Sequence, residues 1–405
     1  MFGRPRELTP LEDRGPLRVM FVITYMPVGG AETMLVEIIR RLDRSRFLPE
    51  LCCLKYFDPL GEVLAEEIPA FERLLSHKYD FRVLPRLVRL LKKRRIDAVV
   101  TVGTGGDKMF WGRLAARIAG VRVICSALHS TGLPDHVEFS NRLLTPITDA
   151  FIAVAGPHGE YLAEHEGCPA DRVAVIPNGV DIERFHPGWP SEGLRQELGI
   201  PQGTPTAGII AALRPEKDHE LFLHVASIVH RQVPEALFLI VGDGPRRAML
   251  EEMARDLSIE DAVLFLGTRD DVTDILKLLN VVMLTSKMEA NPVSIIEAMA
   301  CEKPVVATRV GSVSETVIDE KTGYLISRDS DDSEIAEGLA AKTAELLLHP
   351  LLAETMGRAG RENVISHWSI ERTVEGYEDL IAGIYASKQN GSVLLPANQR
   401  DVLYR

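Results

Sequence analysis

Glu289 and Glu297 stand eight residues apart in the segment Glu289-Ala290-Asn291-Pro292-Val293-Ser294-Ile295-Ile296-Glu297. A short apolar run precedes it, and Pro292 suits the first turn of a helix, where a missing N–H costs no hydrogen bond. Glu289 then falls in the loop before that helix and Glu297 more than one turn inside it. The amides of Asn291, Val293 and Ser294 would point between the two carboxylates, so N–H donors and carboxylate acceptors would share one place. The same spacing also suits a plain helix cap at Glu289 and a solvated outer-face carboxylate at Glu297. On the residues alone both readings stand.

Two further segments carry groups suited to an anion. In Leu213-Arg214-Pro215-Glu216-Lys217-Asp218, two cations follow a strand, where they could stabilise an anionic group. They could equally be ordinary surface charges. In Val28-Gly29-Gly30-Ala31-Glu32, glycines open a helix and would let the backbone approach an anionic ligand, or would simply make a tight turn. The spacing is not the G-x-G-x-x-G of dinucleotide sites. His129, in Leu128-His129-Ser130-Thr131, could donate a hydrogen bond in either charge state or could be a packed structural residue. No D-x-D pair lies near these segments, and no His/Asp cluster has metal-ligand spacing.

The elements that must position these groups alternate along the chain. Arg18–Thr24 forms a β-branched strand, and Ala31–Leu42 follows with helical spacing. Leu48–Leu54, Ala98–Val102 (after a helix near Pro85–Arg95), Arg122–Ser126 and Ala150–Val154 continue the strands. Pro177–Pro190, rich in Pro, Gly and Asn, makes a connection. The pattern then restarts with Ala207–Ala211, Leu237–Val241, Val263–Leu266, Val281–Thr285 and Pro304–Thr308, and helical spacing returns over Ser369–Ala386. This alternation predicts an α/β fold with parallel sheets covered on both faces, repeated twice.

Composition narrows the partners. The 405 residues include 46 Lys and Arg against 58 Asp and Glu, a net charge of −12, which argues against nucleic acid. Five cysteines, Cys52, Cys53, Cys125, Cys168 and Cys301, show no CxxC spacing and are expected as buried thiols of a reducing compartment. The polar start and the lack of a long apolar run predict neither a signal peptide nor a membrane span. Residues 82–95 place Arg82, Arg86, Arg89, Lys92, Lys93, Arg94 and Arg95 around an apolar set. Such a helix could rest on an anionic membrane or simply cover a sheet.

Taken in order, several segments resemble the signature of family 4 retaining glycosyltransferases. These are Gly29-Gly30-Ala31-Glu32, Ile176-Pro177-Asn178-Gly179-Val180-Asp181, Val241-Gly242-Asp243-Gly244-Pro245 and Phe265-Leu266-Gly267. The Glu289/Glu297 pair followed by Lys303-Pro304-Val305-Val306-Ala307-Thr308, then Gly311 with Glu315 and Gly323-Tyr324-Leu325, complete the set. The likeness is strongest from Ile176 to Gly323. It implies a GT-B fold: two Rossmann-like parallel-sheet domains facing across a deep cleft, with an acceptor-binding domain at 17–183 and a donor-binding domain at 184–368. A helix at 369–386 would return to the first domain, leaving a tail at 387–405.

It also implies roles. Glu297 would accept hydrogen bonds from the nucleotide's ribose hydroxyls, and Glu289 from hydroxyls of the donor sugar. Amides from Asn291 to Ser294, with Val293 between them, would orient the sugar or hold the leaving phosphate. Gly267, Thr268 and Arg269 would line the base pocket, and Gly29 and Gly30 would approach the donor. Lys217 matches the family's phosphate-binding lysine; the usual arginine falls on Ala212, with Arg214 a substitute two residues along. His129 would reach a sugar hydroxyl or the reacting carbon. The expected activity is metal-independent, cofactor-free transfer of a hexose-type sugar, with retention, from a nucleoside-diphosphate sugar, UDP being the family's commonest base. The acceptor would be a glycan or lipid-linked glycan, and the location cytoplasmic with peripheral membrane contact. A nicotinamide oxidoreductase is disfavoured by the missing fingerprint. A sugar-nucleotide epimerase of the same architecture and a non-catalytic nucleotide-sugar-binding module remain as alternatives.

Overall fold

A computed structural model describes residues 14–77, 80–103, 107–128 and 142–389. The chain divides into two compact units, one of residues 1–178 and 370–405, the other Gly179–Ser369. The first unit ends ahead of position 183 because Val180 and Phe185 are buried in the second unit's core. The Val180 amide donates to the Trp368 carbonyl (2.9 Å), and Val180 bridges Ser369, so the two ends of the second unit lie side by side.

In the first unit the described strands are β1 (Leu17–Ile23), β2 (Phe47–Cys53), β3 (Ala70–Phe71), β4 (Ala98–Gly103), β5 (Val123–Leu128), β6 (Ala150–Ala153) and β7 (Val173–Val175). They form one parallel sheet in the order β3-β2-β1-β4-β5-β6-β7. β1 is apolar and almost wholly buried because helices cover both faces of the sheet. Its order reverses between β1 and β4.

The second unit holds β8 (Thr206–Ile210), β9 (Leu237–Val241), β10 (Val263–Gly267), β11 (Val281–Leu284), β12 (Val305–Thr308) and β13 (Gly323–Ile326). Their parallel order is β10-β9-β8-β11-β12-β13, the doubly wound arrangement, with its switch point between β8 and β11. Two hydrophobic clusters sandwich this sheet. Phe238 and Ile240 enter one while Leu239 and Val241 enter the other, the alternation that a strand buried on both faces requires.

Most expected strands sit within a residue or two of their predicted limits. Three edge strands, β3, β7 and β13, two to four residues long, are not among those expected from the sequence. The last helix, Ile370–Gln389, packs in the first unit. Its Glu378 carboxylate accepts from the Asp43 amide (2.6 Å) and pairs with Arg46 (2.9 Å), and Lys388 pairs with Asp149 (2.6 Å).

Candidate functional site

The loops after β8 and β11 flank the switch point of the second sheet, where open α/β sheets bind ligands. Lys217 ends a 3-10 turn over Pro215–Lys217, and Asp218, in the left-handed region at φ 53°, redirects the chain into the helix His219–Gln232. The Lys217 ammonium donates to Glu289 Oε1 at 2.7 Å, and the Ser286 hydroxyl donates to the same oxygen at 2.6 Å. Glu289 is buried while Lys217 keeps partial access to solvent. Two groups predicted from separate segments are therefore brought together.

The two loops are tied by bonds no local pattern announces. The Lys287 amide donates to the Glu216 carbonyl (2.8 Å), and the Thr285 hydroxyl to the Asp218 carbonyl (2.9 Å). Arg328, on the loop after β13, spans both: its guanidinium donates to the Thr285 carbonyl (3.0 Å) and to Asp218 Oδ2 (2.9 Å). The Thr308 hydroxyl holds the Ser286 carbonyl at 2.7 Å. Behind them, Ser312 donates to the Ala290 carbonyl, and Gly311 at φ 50° sits so close that a Cβ would collide with the Glu289 carbonyl oxygen. Sequence reasoning missed Arg328, Asp218, Ser286 and Thr308 as site supports. Asp218 and Thr308 lie within segments quoted from the sequence, and Gly311 is a glycine of the resemblance, but nothing in those segments marks their supporting contacts.

The helix after this loop is Val293–Ala300, so Pro292 stands just outside its first turn, with ψ 106°. No side chain caps it, which leaves the first amides, those of Val293 and Ser294 among them, available to an anion. Glu289 is therefore no helix cap; its carboxylate is engaged by Lys217 and Ser286. Glu297 is not a fully solvated face residue either. It is partly buried, burial pushes its carboxyl up to about 7 against the pull of the Arg184 guanidinium, and no hydrogen bond to it is formed among the described residues. Asn291, two residues after Glu289, is buried at 7% exposed.

Arg214 is exposed, three residues before Lys217 on the same turn, with no ion pair among the described residues. The loops after β8, β9 and β10 are joined through backbone: Leu213 N to Asp243 O (3.0 Å) and Gly242 N to Gly267 O (2.8 Å). Gly242 and Gly244 permit this because a Cβ on either would strike the Ala211 or Leu213 carbonyl. Gly267 lies in the left-handed region at φ 68°, and Thr268 is exposed. Arg269 is held by Asp271 (2.7 Å) and Glu197 (2.9 Å), so its guanidinium is tied down and the loop's backbone and Thr268 remain open to a ligand. Gly29 precedes the helix Gly30–Arg41 in the first unit; no side chain caps that helix, and a Cβ at Gly30 would meet nothing within 4 Å. His129 lies outside the described residues.

The basic segment forms the helix Val83–Arg94, whose Val83, Leu87 and Leu91 are buried in the first core. Arg82 and Arg86 pair with Asp80, and Arg94 with Glu50; Arg89, Lys92 and Lys93 remain exposed. All five cysteines are buried and free, and burial pushes the Cys52, Cys168 and Cys301 thiols up to about 12. Among the described residues no helix is long and apolar enough to cross a membrane, and no His, Cys, Asp and Glu side chains gather with metal-binding geometry.

A doubly wound sheet with a cation–carboxylate pair and an uncapped helix at its switch point, joined to a second parallel sheet, describes the GT-B class of sugar-transferring enzymes. The chain belongs to the family 4 glycosyltransferases: residues 28–184 match Glycosyltransferase Family 4 and residues 191–363 match Glycosyl transferases group 1. It is 27% identical over 387 residues to the UDP-Gal:alpha-D-GlcNAc-diphosphoundecaprenol alpha-1,3-galactosyltransferase of Escherichia coli, covering 90% of this chain and 97% of that one. It is 29% identical over 396 residues to a GDP-mannose-dependent alpha-(1-6)-phosphatidylinositol monomannoside mannosyltransferase of Mycobacterium tuberculosis, covering 92% and 100%. Among solved structures, Anabaena HepE in complex with UDP and glucose shares the fold with a TM-score of 0.73 at 22% identity, over 89% of this chain and 97% of that one. The protein is a glycosyltransferase, and the oxidoreductase, epimerase and binding-module readings give way.

Proposed function

We propose that the second unit binds a nucleoside-diphosphate hexose, UDP-linked, and that the enzyme transfers the hexose with retention, without a metal, to a glycan or lipid-linked glycan of the cell envelope. The Lys217–Glu289 pair at 2.7 Å beside an uncapped helix carries this reading. A diphosphate leaving group gathers negative charge as its bond to the sugar breaks. Lys217, the exposed Arg214 and the Val293 and Ser294 amides offer positive charge and N–H donors on neighbouring loops. Glu289 accepts from sugar hydroxyls and Glu297 from the ribose diol, which supplies the donors that its carboxylate lacks. Gly267, Thr268 and Arg269 edge the base.

The Glu289 carboxylate is engaged by Lys217 and Ser286 and so is poorly placed to act as a nucleophile. We therefore favour attack from the face the leaving group departs. The acceptor oxygen bonds to the anomeric carbon, the bonding pair of the broken C–O bond goes to the diphosphate, and the acceptor's proton passes to a departing phosphate oxygen. Relatives acting on a diphosphoundecaprenol-linked sugar and on a phosphatidylinositol mannoside support a lipid-linked acceptor. Exposed Arg89, Lys92 and Lys93 would hold the enzyme to anionic lipid at the inner face of the plasma membrane.

The test is calorimetric titration with UDP, GDP, ADP and NAD, with EDTA and then with Mg²⁺. Selective binding of UDP in EDTA, and donor turnover insensitive to the chelator, are expected. Binding of NAD alone, or turnover that needs Mg²⁺, overturns the proposal.

A further inference from the structure

Tyr25 and Tyr56 follow the carboxyl ends of β1 and β2 in the first unit, and both are exposed, at 41% and 52%. Their rings stack nearly parallel, with centroids 6.0 Å apart and planes 13° from each other. The pair has a rigid base, because sheet pairing runs on past the strand ends. Leu54 N donates to Ile23 O (2.8 Å), Lys55 N to Thr24 O (2.9 Å) and Met26 N to Phe57 O (3.3 Å). Met26 is fully buried beneath, and Glu72 accepts from the Phe57 amide at 3.1 Å. Single exposed aromatics are ordinary. Two stacked rings over the carboxyl ends of parallel strands, next to the order reversal of the sheet, stand where such folds bind ligands. The open Gly29-Gly30 turn follows Tyr25 on the same loop.

We propose that Tyr25 and Tyr56 form a platform for a pyranose of the acceptor saccharide. A pyranose presents an apolar C–H face bordered by hydroxyls. An aromatic ring offers that face a flat apolar surface, and its phenol offers the border a hydrogen bond. The pair carries no cation, so it does not suit a diphosphate; the groups that do suit one lie on the loops of the second unit. The identity of the guest as acceptor rests on the proposed donor site, whereas the platform itself rests on the tyrosines.

The test uses the full chain and saturation-transfer NMR with methyl α-glycosides of glucose, galactose, mannose and N-acetylglucosamine. UDP affinity is measured on the same samples. At least one glycoside should bind the native protein, and Tyr25→Ala and Tyr56→Ala should each weaken it about tenfold, while Tyr25→Phe and Tyr56→Phe keep most of the affinity. UDP affinity should stay constant throughout. Native-like glycoside affinity in both alanine variants overturns the platform, as does a native protein that binds none of the four. So does loss of vesicle binding in the alanine variants with glycoside binding intact, which would make the pair a lipid contact. Glycoside binding through the tyrosines without any nucleotide binding would sink the donor proposal and leave the platform standing.

Discussion

With Glu297 as the proposed acceptor for the ribose hydroxyls, the affinity for a nucleotide sugar should depend on pH across the physiological range. Its carboxyl titrates at about 7 instead of 4.5 because burial disfavours the charge. In the proposed site the carboxylate accepts from both ribose hydroxyls, so the protonated enzyme should be the weaker binder. At pH 6, one unit below the pKa, about one molecule in ten carries the charge; at pH 8 about nine in ten do. The apparent Kd of UDP-glucose should therefore be about tenfold larger at pH 6 than at pH 8. UDP-glucose is the right probe, since its diphosphate is esterified at both ends and does not titrate in this window. Glu297→Gln should remove the pH dependence and weaken binding at pH 8 by about 1.5–3 kcal/mol. Stability should move the other way. A carboxyl with a raised folded pKa destabilises the fold increasingly as pH climbs from 4.5 through about 7, so the glutamine variant should melt higher than the native protein at pH 8 when no ligand is present. Calorimetry from pH 6 to 8.5 and thermal melts decide it. A flat Kd in the native enzyme, or the same slope in Glu297→Gln, refutes the argument.

Lys217→Ala should lower kcat about 100-fold or more while donor Kd changes far less, because its charge matters most as the diphosphate departs; donor-hydrolysis kinetics beside titration separate the two. Arg328→Met should destabilise the second unit by about 1–3 kcal/mol in urea unfolding, since the buried Asp218 carboxylate loses its partner at 2.9 Å and keeps Lys287 at 3.4 Å; adding Asp218→Asn should restore part of the loss. Gly311→Ala should cost about 1–3 kcal/mol from a left-handed backbone alone, and kcat should fall further as its Cβ displaces the Glu289 carbonyl. Far-ultraviolet melts and steady-state assays check both effects.

The strands that were legible in the sequence are those with four or more apolar residues and a turn signal after them. A buried parallel strand must be continuously apolar, and that pattern is local. Lys217 and Glu289 stand in loops after such strands, where position alone left an ordinary surface charge and a helix cap as open alternatives, and the resemblance singled them out. Their contact at 2.7 Å was not legible, since it depends on β8 and β11 becoming neighbours, which is a property of strand order. Arg328 was invisible for the same reason: nothing around it marks it, and the site groups it holds, on Thr285 and Asp218, are forty or more residues away in the chain. Pro292 was placed one position too far into its helix because proline suits the first turn and the residue before it equally well.

Because the second unit runs from Gly179 to Ser369, it is an insertion between the body of the first unit and that unit's last helix. A ribosome therefore finishes the second unit while the first still lacks Ile370–Gln389, the helix that buries Tyr377, Leu380, Ile381, Ile384 and Tyr385. The inserted half, its ends joined at Val180 and Ser369, can fold first during synthesis; the half that opens the chain must wait for the final helix.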